Sequence, residues 1–589
     1  MAQFFKFVLA TIVGILLLMA IIIGLFVAAV AVGGKQESKT EDNSVLKLSL
    51  NVPISERSQE NPLEDFDLPF ATPIELKTIG LLELRQAIAR AKEDAKIKGI
   101  YLDAGNIQAG WATLEEIRQA LQDFKQSGKF IYAYSETISE PALYVISVAD
   151  SIFLHPQGSI EFNGLVAEIG FAKGLFEKIG VKPEIFRVGE FKSAVEPFML
   201  DKMSQANRLQ VTAYLNSIYN HYLQGISQSR HIPVEQLKQI ADGMLVQLPR
   251  EAAAYNLISR TAYYDEVENL IRAKLGIDQK KKINFISLKR YAKEQPTEEP
   301  GSYSKKRIAV IFGEGSIRTG KGGQDQIGSE TIAEELRKAR QEDKVAAVVL
   351  RINSPGGSAL ASDVMWREVV ETKKKKPVIA SMSDVAASGG YYMAMGCNKI
   401  FAHSTTITGS IGIFGLLFDA SKLLSEKIGI TFDRVETSQF ADLGNPTKKF
   451  TDQERQIIQR SVNEGYETFT SKAAAGRNMP LDTLKKYAGG RVWTGEQALK
   501  IGLIDQLGGL EEAIKAAAKE AGLKEGEYVV RYYPAKKSFL EALQSVSDQM
   551  EEQQWKQRAG SLYPLIKQIK ELVSYQGVQA RLPYEVNIH

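Results

Sequence analysis

The chain has one cysteine, Cys397, in 589 residues. No intrachain disulfide can form, and thiolate-rich metal sites are excluded. Histidine is also scarce, at five residues: His155, His221, His231, His403 and His589. No HExxH pair occurs, which argues against a zinc hydrolase. Charge of one sign is missing too. The 73 Lys and Arg nearly balance 70 Asp and Glu, leaving a net charge of +3. Nothing in that balance points to a nucleic-acid partner. The remaining composition, 44% hydrophobic and 24% charged, is ordinary for a globular chain, and the length calls for more than one domain.

One stretch lacks charge altogether. Phe7 to Val32 is 26 residues without a charged side chain, and only Thr11 is clearly polar. As a helix it would span about 39 Å, enough for a hydrocarbon core of roughly 30 Å with some tilt. The expectation is an N-terminal membrane anchor over 1–34. A cleaved signal peptide is the competing reading, but its apolar core would be about 7–15 residues. Lys6 favours an inside N-terminus, while Lys35 and Lys39 dilute that bias. Residues 35–44 read as a polar tether.

Beyond the tether the chain repeats itself. YAYSETISEPALYVISVADSIFLH (132–155) aligns with ASMSDVAASGGYYMAMGCNKIFAH (380–403), so Tyr144 meets Tyr392 and His155 meets His403, each pair 248 residues apart. Upstream, GIYLDAGNIQAGWA (99–112) falls on AVVLRINSPGGSAL (347–360). The expected division is a first repeat over 45–290, a charged connection with two prolines over 280–307, and a second repeat over 307–534. A tail follows over 535–589, with helical spacing in SFLEALQSVSDQMEEQQWKQ and no functional reading beyond a packing or assembly arm. In the second repeat, apolar strands (307–312, 346–352, 377–383, 398–403) alternate with a helical pattern (327–341). That order predicts a largely parallel α/β sheet flanked by helices. Ligands of such sheets sit beyond the carboxyl ends of the strands, where SPGGS and AASGG both fall.

The two copies differ in their reactive residues. The second has Ser388 among small neighbours, and Gly356-Gly357; the first has Glu140 and Gln108-Ala109 there. The first has Lys192 in RVGEFKSAVEPF, where the second has Gln439. A serine kept in one copy and a lysine in the other suggest one divided active site. Serine at a strand-to-helix turn needs small neighbours for substrate to approach, although Ala386 stands where a hydrolase elbow usually has glycine. Adjacent glycines can aim two amides into a cleft as an oxyanion hole. A lysine acts as base only where its pKa is lowered. Each motif also has a plainer reading: a small-residue helix start, a Pro-Gly turn, a solvated lysine. His403 persists as His155 in the copy without the serine, which favours a structural role for both. Gly315 to Gly322 nearly matches a phosphate-binding loop but ends in Gly322, without the Ser or Thr that would hold Mg²⁺; a flexible glycine-rich connection is expected there.

Four segments, KSAVEPF (192–198), NSPGGS (353–358), AASGGYY (386–392) and TGSIGIFG (408–415), make the chain resemble the bacterial signal peptide peptidase A family, of the long protease IV type. The resemblance covers nearly the whole chain. It implies two tandem Clp-protease/crotonase-like domains behind a transmembrane helix. By motif position it makes Ser388 the nucleophile and Lys192 the general base. Ser410 would orient the lysine, and Gly356, Gly357 and the Gly389 amide would form the oxyanion region. It implies no cofactor or metal. Signal peptides and other extended apolar peptides would be the substrates. It also implies a homotetramer at the periplasmic face of the inner (cytoplasmic) membrane. Two other readings stay open: a crotonase-type acyl-CoA enzyme using the same glycine amides, and a membrane scaffold with a decayed site.

Overall fold

The computed structural model describes residues 40–58, 78–294, 305–323, 325–535 and 578–582, with scattered helical positions between 3 and 18. Among the described residues no helix is long and apolar enough to cross a membrane. Most of the expected span, Phe7 to Val32, lies outside the described residues, as does the expected helical stretch of the tail.

Two sheets carry the two repeats. In the first, the strands Arg260–Thr261, Ser151–Ile160, Phe130–Ile138, Ile97–Asp103, Ser44–Ser49 and Phe285–Ser287 lie side by side in that order, every pair parallel. In the second, Val378–Ala387, Val345–Ser354, Lys306–Glu314 and Tyr528–Tyr533 repeat the arrangement in parallel. Ile407–Gly409 extends it beyond Val378–Ala387, and Val492–Thr494 adds an antiparallel edge.

Lys306–Glu314 shows why a near-continuous apolar run makes such a strand. Successive side chains point to opposite faces. Ala309 and Ile311 enter one buried cluster, while Ile308 and Val310 enter another on the opposite face. Helices cover both faces, so neither set can be polar. The helix Ser329–Gln341 buries Ile332, Ala333, Leu336 and Ala339 at three- and four-residue spacing.

The repeats share more than a boundary. Ala387, Ile407 and Val492 of the second pack into the main hydrophobic core of the first. Lys182–Arg187 of the first pairs antiparallel with Phe414–Asp419 of the second over six residues. Arg455 closes the seam with two 2.9 Å hydrogen bonds to the Glu184 carboxylate. A buried charge cluster crosses it as well. Arg351 donates to Glu56 at 2.8 Å and pairs with Glu116 at 2.7 Å, and its guanidinium also donates to the hydroxyls of Ser381 and Ser383.

One local expectation changes. The near phosphate loop is ordered in part as a strand, Ser316–Arg318, which pairs with Gln326–Gly328 and touches Gly357. Glycine spacing alone did not show that these residues have a sheet to join. The tail also enters the fold: Val578–Arg581 is a strand, flanked by Gly356–Ser358 and Phe414–Asp419.

Candidate active site

The strand Val378–Ala387 runs into Ser388, and the helix Gly389–Ala394 begins at the next residue. Ser388 itself has φ 53° and ψ −110°, a region that non-glycine residues rarely occupy. The surroundings hold it there. Its amide donates to the Gly409 carbonyl at 2.8 Å, and its carbonyl accepts from the Tyr392 amide at 2.8 Å. Backbone strain fixed on both sides is characteristic of reactive positions.

Lys192 arrives from the other repeat. It follows the seam strand Lys182–Arg187 and precedes a short turn, Ser193–Val195. Its Nζ lies 2.9 Å from Ser388 Oγ, 3.0 Å from Ser410 Oγ and 3.1 Å from the Ser410 carbonyl. Lys192, Ser388 and Ser410 are completely buried. Burial alone holds the Lys192 amine well below its ordinary pKa, and no carboxylate contributes to the shift. Such lowering favours the neutral amine, whose lone pair can accept a proton.

The backbone around Lys192 is clamped by the second repeat. The Phe191 amide donates to the Gly489 carbonyl at 3.1 Å. Gln210 donates to the Phe191 carbonyl at 3.1 Å and accepts from the Val492 amide at 3.1 Å. Gly490, at φ 85°, lies against the lysine backbone, and a Cβ there would come within 2.6 Å of Lys192 Cα.

The glycine turn completes the site. Ser354 Oγ donates to the Gly315 carbonyl at 2.7 Å and accepts from the Gly356 amide at 3.1 Å. Gly356 has φ 97°, and a Cβ there would lie 2.7 Å from the Gly389 nitrogen. The turn after the second-repeat strand and the start of the helix after Ser388 are thus in backbone contact. In the first repeat the equivalent helix start carries Glu140, whose carboxylate accepts from the amides of Asn163 and Gly164 at 2.8 Å each.

All six residues singled out in the sequence, Lys192, Gly356, Gly357, Ser388, Gly389 and Ser410, therefore lie in one neighbourhood. His403 has other partners. Its Nε2 lies 3.0 Å from Glu116 and its Nδ1 3.6 Å from Glu115. Burial opposes its charge, but hydrogen bonds and the fields of both carboxylates outweigh that and raise its pKa to about 9. Gln210 and Gly490 were not legible as site residues. The paired glycines of AGGRVWTG were the only signal for the second, and a glutamine inside a 26-residue helix gave none for the first.

A family model for Peptidase family S49 matches residues 123–278 and again 370–524, two spans one repeat apart. The chain belongs to peptidase family S49. This S49 chain is similar to the chloroplastic serine protease SPPA of Arabidopsis thaliana, at 36% identity over 76% of this chain and 66% of that one. It is likewise similar to Protease 4 of Salmonella typhi, at 36% identity over 79% of this chain and 76% of that one. It is a serine peptidase with two S49 domains in one α/β chain. A ClpP1 mutant from Listeria monocytogenes superposes with a TM-score of 0.24 at 13% identity over 35% of this chain and 94% of that one, too little overlap to carry weight.

Proposed function

We propose that this S49 peptidase is a membrane-anchored endopeptidase with a Ser388/Lys192 dyad, and that cleaved signal peptides are among its substrates. One observation carries the reading: a buried, uncompensated lysine amine 2.9 Å from the hydroxyl of a strained serine 196 positions away. Lys192 takes the Ser388 proton as Oγ attacks the peptide carbonyl. The amides of Gly357 and Gly389 receive the developing oxyanion, an effect of about 3 kcal/mol per donor. The protonated lysine then gives its proton to the leaving amine. Water enters, Lys192 takes its proton in turn, and the ester opens. Ser410 holds the lysine on line.

The substrate class follows from the groove. Gly356–Ser358 and Phe414–Asp419 flank a position one strand wide, taken in this structure by Val578–Arg581, and a strand position of that kind suits an extended peptide bound through its main chain. A folded domain offers no such strand. The charge-free run Phe7 to Val32 supports anchoring in the inner membrane, with the peptidase on its periplasmic side. The resemblance to the protease IV type extends the proposal to a homotetramer with its sites turned inward.

Two variants, Ser388→Ala and Lys192→Ala, test the dyad on an unfolded apolar peptide. Both should lose turnover by at least a thousandfold while remaining folded; near-normal turnover in either sinks the assignment. A serine-directed fluorophosphonate should label Ser388. No labelling together with measurable CoA affinity would favour the acyl-CoA reading instead.

A further inference from the structure

The ladder between Lys182–Arg187 and Phe414–Asp419 ends at Arg187, and Lys192 lies five residues further on. The residues between, 188–191, are bend and turn rather than strand, so the ladder alone leaves the amine free to swing. One side chain supplies the missing hold. Gln210 is completely buried near the start of the helix Gln205–Arg230. Its Nε2 donates to the Phe191 carbonyl at 3.1 Å and to Ser193 Oγ at 2.9 Å, the residues immediately before and after Lys192. Its Oε1 accepts from the Val492 amide at 3.1 Å. Val492 stands opposite Gly409, and the Arg491 carbonyl accepts from the Ser410 amide at 2.7 Å. A single amide group thus ties both flanks of the lysine to the strand that holds Ser410.

Flipped, the same amide would turn its oxygen toward the Phe191 carbonyl and repel it. Glu196, in the same segment KSAVEPF as the lysine, decides the orientation. It is completely buried and accepts from the Ser204 hydroxyl at 2.6 Å, the Ser204 amide at 3.2 Å and Asn207 Nδ2 at 2.9 Å. A carboxylate offers only acceptors, so Asn207 must turn its nitrogen toward Glu196 and its oxygen away. That oxygen accepts from Gln210 Nε2 at 3.1 Å, which leaves Gln210 Oε1 for Val492. Arg187 joins the two ends: its guanidinium lies 3.9 Å from Glu196 and donates to the Lys192 carbonyl at 3.4 Å. The amine itself bonds to Ser388 and Ser410, so this network reaches it only through the backbone.

We propose that Gln210 is a positioning residue for the reaction: oriented by Glu196 through Asn207, it holds the Lys192 amine on the Ser388 hydroxyl. The inference rests on the Ser388/Lys192 reading, and it gives Glu196 a part in the chemistry without contact to a reacting atom. A buried network of this kind keeps one geometry, because any half-made arrangement leaves polar groups unpaired in a low dielectric. Without the Gln210 amide, the Phe191 carbonyl and the Val492 amide lose this partner, and the lysine segment moves toward water. The amine then loses both its alignment and the burial that lowers its pKa.

The experiment uses full-length wild type, Gln210→Met, Gln210→Glu and Ser217→Ala. Methionine keeps the length of the side chain without its amide; glutamate keeps the acceptor for Val492 and loses the donor for Phe191. Ser217 is the control, because its hydroxyl lies 3.0 Å from Thr494 Oγ1 and so links the same helix to the same strand away from the lysine. Hydrolysis of an unfolded apolar peptide is followed across pH, with rates expressed per site labelled by a fluorophosphonate. In both Gln210 variants kcat should fall about 10- to 100-fold with KM nearly unchanged. The acidic limb of kcat/KM should move to higher pH, because a hydrated amine protonates more readily. Ser217→Ala should show neither change. Wild-type kcat and an unmoved limb in the Gln210 variants overturn the proposal, as does an equal shift in Ser217→Ala, which would make the effect one of the seam in general. Failure of both Gln210 variants to fold would make the side chain a requirement of the fold and overturn the narrower role. Lys192→Ala, assayed alongside, keeps the two readings apart. Normal turnover there sinks the dyad; an inactive Lys192→Ala beside a fully active Gln210→Met sinks this proposal alone.

Discussion

The Lys192 amine meets Ser410 twice, at 3.0 Å to its hydroxyl and 3.1 Å to its carbonyl. A neutral amine has two N–H groups and one lone pair. With both N–H groups directed at Ser410, the lone pair is left for the Ser388 hydroxyl. Ser410 is thus a positioning residue, with its own left-handed backbone at φ 49°. Ser410→Ala should lower kcat roughly 10- to 100-fold, about 1.4–2.7 kcal/mol, with KM nearly unchanged. A matching rise in KM would point to a groove defect instead.

Acidification should switch the enzyme off through Lys192. Its folded pKa lies well below 10.5, so activity should be full above that lowered value and fall as pH drops through it. The check is the acidic limb of kcat/KM against pH. A limb set by the ordinary lysine value, with activity rising only near pH 10.5, would mean that the amine is not desolvated in solution.

Gly356→Ala should abolish turnover without unfolding the protein. The added methyl group would lie 2.2 Å from the Ala580 carbonyl oxygen and 2.7 Å from the Gly389 nitrogen, so it would crowd the amide proposed to receive the oxyanion. Circular dichroism should be unchanged while peptide hydrolysis falls at least a hundredfold.

Much of this site was legible in the sequence, for reasons that differ from residue to residue. Ser388, Gly356 and Gly357 stood out because the repeat supplied an internal control, the other copy, in which all three are replaced. Lys192 stood out by the reverse comparison. The strands were legible because a parallel strand buried on both faces, such as Lys306–Glu314, is a run of apolar residues. Gln210 and Gly490 were hidden because they act through backbone contacts across the seam, and such contacts leave no periodic trace. The strand Val578–Arg581 was hidden because four residues can follow almost any pattern; its partners, not its composition, make it a strand.

The seam should be costly to break. Arg351 is buried between Glu56 and Glu116, and Arg351→Met leaves both carboxylates without it. The expected loss is about 3–5 kcal/mol, read as a lower urea midpoint. Replacing one carboxylate, as in Glu56→Gln, should cost less, because Glu116 still faces the guanidinium.

His403 gives the fold a pH dependence on the alkaline side. Its folded pKa of about 9 exceeds its ordinary 6.5, so its contribution is complete below 6.5 and disappears as pH rises through 9. The depressed Lys192 works in the opposite direction, so the comparison must be with a variant. The difference in urea midpoint between wild type and His403→Gln should shrink from pH 6 to pH 10. A constant difference would show that the ring's pKa is not raised in the fold.

The six-residue ladder between Lys182–Arg187 and Phe414–Asp419 sets more than the proximity of two repeats. Strands can bend together, but they cannot slide by a fraction of a residue. The smallest slip that keeps side chains on their own faces is two residues, about 7 Å. That is more than twice the reach of a hydrogen bond, so no weakly competent intermediate alignment exists between an amine that touches Ser388 and one that does not. Conditions that loosen the seam should thus reduce the number of working molecules while each survivor turns over at its full rate. A population titrated with a covalent inhibitor would lose active sites in step with velocity.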